Sequence, residues 1–182
     1  MGKENRRVMP CIVMMVLLLS LAPVSAWDEP SGFHDIPWGA SPDALKQRLP
    51  DFRCLYTRGI NCTGQLLIGA VPVSVRFDFD SEGMDSVLLQ FSSARFADIA
   101  EAFLGRYGSP TLRNHTPLQN SFGARLMNEQ LSWIGSKVII GLYKYGEKST
   151  ESGALLETMQ RYQRDTVRKQ QNKDKAKQDL GP

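Results

Sequence analysis

Histidine and cysteine are scarce in this 182-residue chain: two histidines, His34 and His115, and three cysteines, Cys11, Cys54 and Cys62. So small a stock leaves little to build a metal centre from. The chain has no H-E-x-x-H and no C-x-x-C. It also lacks a G-x-S-x-G elbow for a serine nucleophile and a Gly-rich loop ending in G-K-S/T for a phosphate. A strong charge of one sign is missing too. The formal net charge is +3, and residues 1–26 hold three basic residues against one acidic one. The remainder carries about +1, which gives no broad basic field for nucleic acid or an anionic membrane. No cofactor, no metal and no nucleic acid are expected.

Long apolar runs are absent except at the N-terminus, where Lys3, Arg6 and Arg7 precede an apolar stretch from Ile12 to Ala22 broken only by Ser20. With "VSA" ending at Ala26, residues 1–26 fit a secretory signal peptide. The run is short for a membrane span of about 20 apolar residues, although a retained N-terminal anchor is the alternative. Cys11 precedes the run, so it cannot be a lipoprotein's lipid-bearing cysteine. The expected location is exported, periplasmic or extracellular, and soluble.

Two cysteines remain beyond the signal. In an oxidising compartment Cys54 and Cys62 are expected to form a disulfide, contributing about 2.6 kcal/mol by the chain-entropy estimate. A redox pair or half a zinc site are the rival readings, but the spacing suits neither. The enclosed loop displays Tyr56 and Arg58, residue types enriched in interface hot spots, and restraint lowers the ordering cost of binding. Both are candidate partner contacts.

"DIPWGASPDALKQRLP" (35–50) reads as a short helix with its punctuation: Ser41 as N-cap, Pro42 at the first position, Asp43 in the first turn, Leu45 and Leu49 on one face, Pro50 as stop. Ile36 or Trp38 could staple back onto Leu45. Trp38 is expected to cover a sheet edge rather than to hold a ligand, with Gly39 serving the turn. From Val71 to Phe79 apolar and polar residues alternate strictly. After "SEG", Val87, Leu89 and Phe91 return, so this is an antiparallel hairpin. A second helix is expected over 95–107, closed by Gly108 and Pro110. Residues 111–126 read as irregular. A second hairpin follows, "LMNEQLSWI" and "KVIIGLYKY" around Gly135-Ser136. Tyr143 and Tyr145 lie on the face of its second strand opposite Val138, Ile140 and Leu142, and are the second pair of candidate partner contacts. Their alternative is packing under the segment around Leu155 and Met159.

Residues 151–182 form a tail, with Leu155, Met159 and Tyr162 at helical spacing or a short strand after Gly153. From Arg164 to Lys177 it is charged, and helical or disordered. The fold expected is therefore α+β and two-layered. Two hairpins make an antiparallel sheet with two helices on one face, over 27–150, with a loose duplication of 33–91 in 95–145. "DFDSEG" copies half a calcium loop, but position twelve is Leu89 and the flanks are strands. Asn61 and Asn114 head N-x-T sequons.

"FHDIPWGASPDALKQRLPDFRC", "CTG" and "VSVRFDF…GMDSVLLQF" together resemble a pattern of small exported bacterial proteins, in which "RYGSPT" and "W…VIIGLY" recur. Architecturally, residues 33–91 resemble modules of the outer-membrane assembly lipoprotein (BamE/SmpA) type and of β-lactamase inhibitor protein. Trp38 departs from those families and the lipid-bearing cysteine is missing, so no contact residue carries over. The resemblance implies helices on an antiparallel sheet and action by protein binding. The expected function is a non-enzymatic envelope binding protein, an assembly accessory or inhibitor, whose partner is another envelope protein. The alternatives are a cell-envelope hydrolase or transferase with His34 or His115 as base, and membrane contact through the tail.

Overall fold

The computed structural model describes residues 27–57, 59–119, 123, 125–146 and 150–179. The predicted signal segment and Arg58 lie outside them. Short strands β1 (Gly32–Phe33) and β2 (Ile36–Pro37) form a two-stranded ribbon, followed by α1 (Pro42–Arg48). Four strands come next: β3 (Arg53–Leu55), β4 (Ile60–Ile68), β5 (Val71–Asp80) and β6 (Gly83–Ser92). A 3-10 turn leads into α2 (Phe96–Tyr107), then β7 (Leu112–Gln119), β8 (Arg125–Ile134), β9 (Val138–Tyr143), β10 (Glu151–Thr158) and α3 (Met159–Asp179).

Strands β3 to β10 make one eight-stranded sheet in the order β3-β4-β5-β6-β10-β9-β8-β7. Every neighbouring pair is antiparallel. Element order repeats, a helix and then a four-strand meander, and the two meanders join where β10 pairs with β6.

This overturns the expectation of a two-layer sheet built from two hairpins with two helices on it. Both hairpins exist, as β5–β6 and β8–β9, but each is part of a larger meander: β5–β6 ends the first and β8–β9 is the middle of the second. Strand β7 escaped notice because all eight of its residues are exposed, so it has no apolar period. β10 was read as tail, yet its Ala154 and Leu156 point into the core between β6 and β9. β4 was hidden by Gly64, whose missing side chain admits the Phe52 ring: a Cβ there would stand 2.6 Å from it. A third helix, α3, closes the chain.

One face of the sheet is apolar. Phe77 pairs with Val87, Val87 with Leu156, Leu156 with Ile140, and Ile140 with Trp133, all buried. Leu45 from α1 and Ile99, Phe103 and Tyr107 from α2 join the same core. The Trp133 indole stacks within 6.0 Å of Phe103 and donates to the Gly108 carbonyl at 3.0 Å, so its one polar atom is satisfied in the interior. β9, carrying apolar residues on both faces, is an interior strand.

The helix punctuation is as read. Ser41 Oγ accepts from Ala44 N at 3.2 Å, Pro42 opens α1, and Gly108 closes α2 with φ of 75°. Trp38 fastens the chain ahead of α1. Its indole donates to Pro30 O at 2.8 Å, and Gly39 and Ala40 pair by backbone with Met84 at the start of β6.

Candidate binding cleft and open sheet face

The residues ahead of β1 form a strap across the fold. Trp27 donates its indole to Ile134 O, and Glu29 inserts its carboxylate into the β8–β9 turn. Glu29 Oε1 accepts from Ser136 N at 2.8 Å and Ser136 Oγ at 3.0 Å. Oε2 accepts from Lys137 N at 2.7 Å and Val138 N at 3.0 Å. Successive backbone amides make such a turn a seat for an anion. Burial pushes the Glu29 carboxyl up, but the bonds from Ser136, Lys137 and Val138 outweigh it and hold the group below the usual range. Gly135 leaves room for the carboxylate, since a Cβ there would meet Glu29 at 2.3 Å.

The strap and the β1–β2 ribbon stand over one end of the core and enclose a cleft of about 800 Å³ with α2, the end of α1 and the end of β4. Phe33, Phe103 and Tyr107 give it aromatic surface, and Leu67 and Ile68 extend the apolar lining. Its charged residues are Arg48, Arg106 and Asp35, with His34 beside them. Neither arginine has an ion pair among the described residues. Burial pushes the Tyr107 phenol up, partly offset by Arg106, so it stays a neutral donor. At the ribbon's turn His34 and Asp35 both have positive φ, 52° and 61°. That backbone normally falls to Asn-Gly, and left-handed conformation costs a side-chain-bearing residue about 1–2 kcal/mol.

The sheet's second face is polar. Cross-strand pairing aligns Gln65, Ser74, Gln90, Gly153, Tyr143 and Gln130 in one row. The next row is Thr63, Arg76, Leu88, Leu155, Gly141 and Ser132. Helix α3 is clamped to one end of this same face, beside the β5–β6 turn, where the following row is Asp78, Ser86, Glu157 and Ile139. There β6 carries a bulge, and the extra residue is Asp85, 4% exposed. Asp85 accepts from Arg161 at 3.0 and 3.2 Å and from Arg164 at 2.6 Å, and Arg164 also reaches Asp80 at 2.7 Å. Burial raises the Asp85 carboxyl above its usual range, and Arg161 offsets this only in part. Burial, with Asp165 nearby, raises Glu157 as well.

Of the candidates from sequence, Cys54 and Cys62 are bonded across directly opposed positions of β3 and β4. The bond is consistent with an exported protein in an oxidising compartment. Tyr56 is exposed beside this bond at the sheet's edge, next to exposed Leu55. Tyr143 is half-buried on the polar face with its hydroxyl over Gly141, near Glu157 and Tyr162 of α3. Tyr145 lies beyond β9, held by Asn128 through its own N and O at 2.9 and 3.3 Å. The three described tyrosines do not converge: Tyr56 and the Tyr143–Tyr145 pair sit on opposite halves of the sheet. The histidines are also apart, His34 on the ribbon and His115 on β7, 4.0 Å from Glu129. The carboxylates of "DFDSEG" serve the turn: Asp78 holds Arg76 and Ser86, and Asp80 caps Glu82 N. Among the described residues no group of three or more His, Cys, Asp or Glu could hold a metal ion.

Sequence reasoning missed Glu29, Arg48, Arg106 and Asp85. Glu29 meets its partners across 107 to 109 positions, a separation no local pattern reveals. Asp85 interrupts the alternation of β6, and that slip was its one signal. No protein-family model matches the chain, and neither the curated proteins nor the solved structures give a match. Among the described residues no helix is long and apolar enough to cross a membrane.

Proposed function

We propose that this chain is an exported, non-enzymatic binding protein of the bacterial envelope, an assembly accessory or inhibitor-like module, working in the periplasm. Its partner is another envelope protein, engaged through the open face of the eight-stranded sheet. One observation carries the reading. The row through Gln65, Ser74, Gln90 and Gly153 crosses four adjacent strands with no helix side chain bonded to it among the described residues, and its residues are exposed or half-buried. A sheet face that broad, with Ser74 and Gly153 keeping part of it low and a flanking tyrosine, lets a partner's surface approach closely. The absence of catalytic motifs from the sequence supports a binding rather than a catalytic role. The resemblance to protein-binding modules points the same way.

A photo-cross-linking residue at Gln65 or Gln90, in the native host, should give a discrete adduct of defined mass. The same residue at Lys46, on the exposed side of α1, should not. No adduct from the face, or equal adducts from Lys46, would remove the proposal.

A further inference from the structure

We propose that the cleft beneath the strap is a binding site for a single-chain anionic amphiphile, an acyl chain ending in a carboxylate or phosphate. Its volume of about 800 Å³ lies within the range of small-molecule sites, about 300–1,000 Å³. Its lining divides in the way such a ligand requires. Phe33, Leu67 and Ile68 supply apolar surface for a chain. Arg48 from α1 and Arg106 from α2 supply two guanidiniums with no ion pair among the described residues, against a single lining carboxylate, Asp35. Forked, unpaired guanidiniums suit the planar or tetrahedral oxygens of a carboxylate or phosphate. Tyr107, 8% exposed, lines the same cleft, and its hydroxyl has no hydrogen-bond partner among the described residues while remaining accessible. It can donate a third bond to the head group.

The ribbon adds an independent observation. His34 and Asp35 occupy left-handed backbone where glycine would be free of strain, and both side chains line the cleft. Strain kept at the mouth of a cavity is a sign of function. It places two polar side chains where a glycine turn would place none.

The test uses the purified chain and titration calorimetry with dodecanoate, dodecyl phosphate, dodecyl maltoside and dodecyltrimethylammonium, each below its micelle concentration. The two anions should bind one per chain, and the neutral and cationic amphiphiles at least about tenfold more weakly. The double substitution Arg48→Gln/Arg106→Gln should weaken anion binding at least about tenfold, as for lost charge-assisted bonds. Ala102→Trp, at an exposed α2 position lining the cleft, should block all binding without disturbing the core. Preference for dodecanoate over dodecyl phosphate would identify a fatty-acid ligand, and the reverse a phospholipid fragment; either supports the site. Equal binding of all four heads, no binding at millimolar concentration, or binding indifferent to Ala102→Trp would overturn it.

Discussion

Replacing Glu29 by alanine tests whether the strap is part of the fold or a loose end laid on it. The carboxylate accepts four hydrogen bonds between 2.7 and 3.0 Å from Ser136, Lys137 and Val138. A typical intramolecular hydrogen bond contributes about 0.5–1.5 kcal/mol net, and more to a charged group when buried. The turn is exposed, so water takes over most of the freed amides and the low end of that range applies. Four such bonds give about 2 kcal/mol. For a domain of this size each kcal/mol moves Tm by about 2–4 °C, so Glu29→Ala should lower it by about 4–8 °C. Glu29→Gln should be nearly as damaging, because its amide turns a donor toward amides that are themselves donors. The pH dependence fixes the mechanism. The Glu29 carboxyl is held below its usual value, so its stabilisation is complete above the unfolded value of about 4.3 and is lost as pH falls through the lower folded value. Urea unfolding of wild type and Glu29→Ala at pH 7 and in strong acid should therefore show a gap that narrows in acid. Equal midpoints at pH 7, or a gap that widens in acid, would refute the reasoning.

Four further outcomes follow from the same structure. Leu45→Ala removes a fully buried side chain from the only buried position of α1 and should cost about 2–5 kcal/mol in urea unfolding. Asp85→Asn weakens the seat of Arg161 and Arg164, so limited proteolysis should cut α3 faster while the β-sheet circular dichroism persists. Glu157→Gln should raise the urea midpoint at pH 7: burial lifts this carboxyl's pKa, so the folded state binds its proton more tightly than the unfolded one. The stability that the charged group forfeits as pH rises through that window is restored by the neutral side chain, and the gain should vanish in acid. Cys54→Ser with Cys62→Ser should cost about 2–3 kcal/mol, read from the urea midpoint under oxidising conditions.

Local grammar was the legible part of the fold. Ser41, Pro42 and Gly108 bound their helices because capping chemistry acts within a few residues. The alternation from Val71 to Phe79 exposed β5 because one face is buried and the other wet. The sheet's size was not legible. β7 is exposed on both faces and so carries no pattern, while β10 enters the sheet between β6 and β9, an insertion set by pairing at long range. The candidate contacts fared unevenly for the same reason. Tyr56 and Tyr143 could be marked as aromatic and surface-facing, but not that they lie on opposite halves of the sheet. The cleft is built from four separated segments, so nothing in the local sequence marks Arg48 and Arg106. The strap's role was equally hidden, because Glu29 means nothing without the amides of Ser136 to Val138.

The central claim is that a protein partner sits on the open sheet face, and Gly153→Arg tests it most directly. Gly153 lies in the middle of the row between Gln90 and Tyr143. A Cβ there stands 3.3 Å from the Leu89 carbonyl oxygen, so the β6 backbone must give by a few tenths of an ångström, and the rest of the side chain extends outward over the face. With the partner recovered from the Gln90 adduct and purified, its affinity should fall at least about tenfold for Gly153→Arg, a loss of 1.4 kcal/mol or more. The free energy of urea unfolding, measured alongside, should stay within about 1 kcal/mol of wild type, so that the loss of affinity is not a loss of fold. Undiminished affinity with an arginine at the centre of the face would contradict the account.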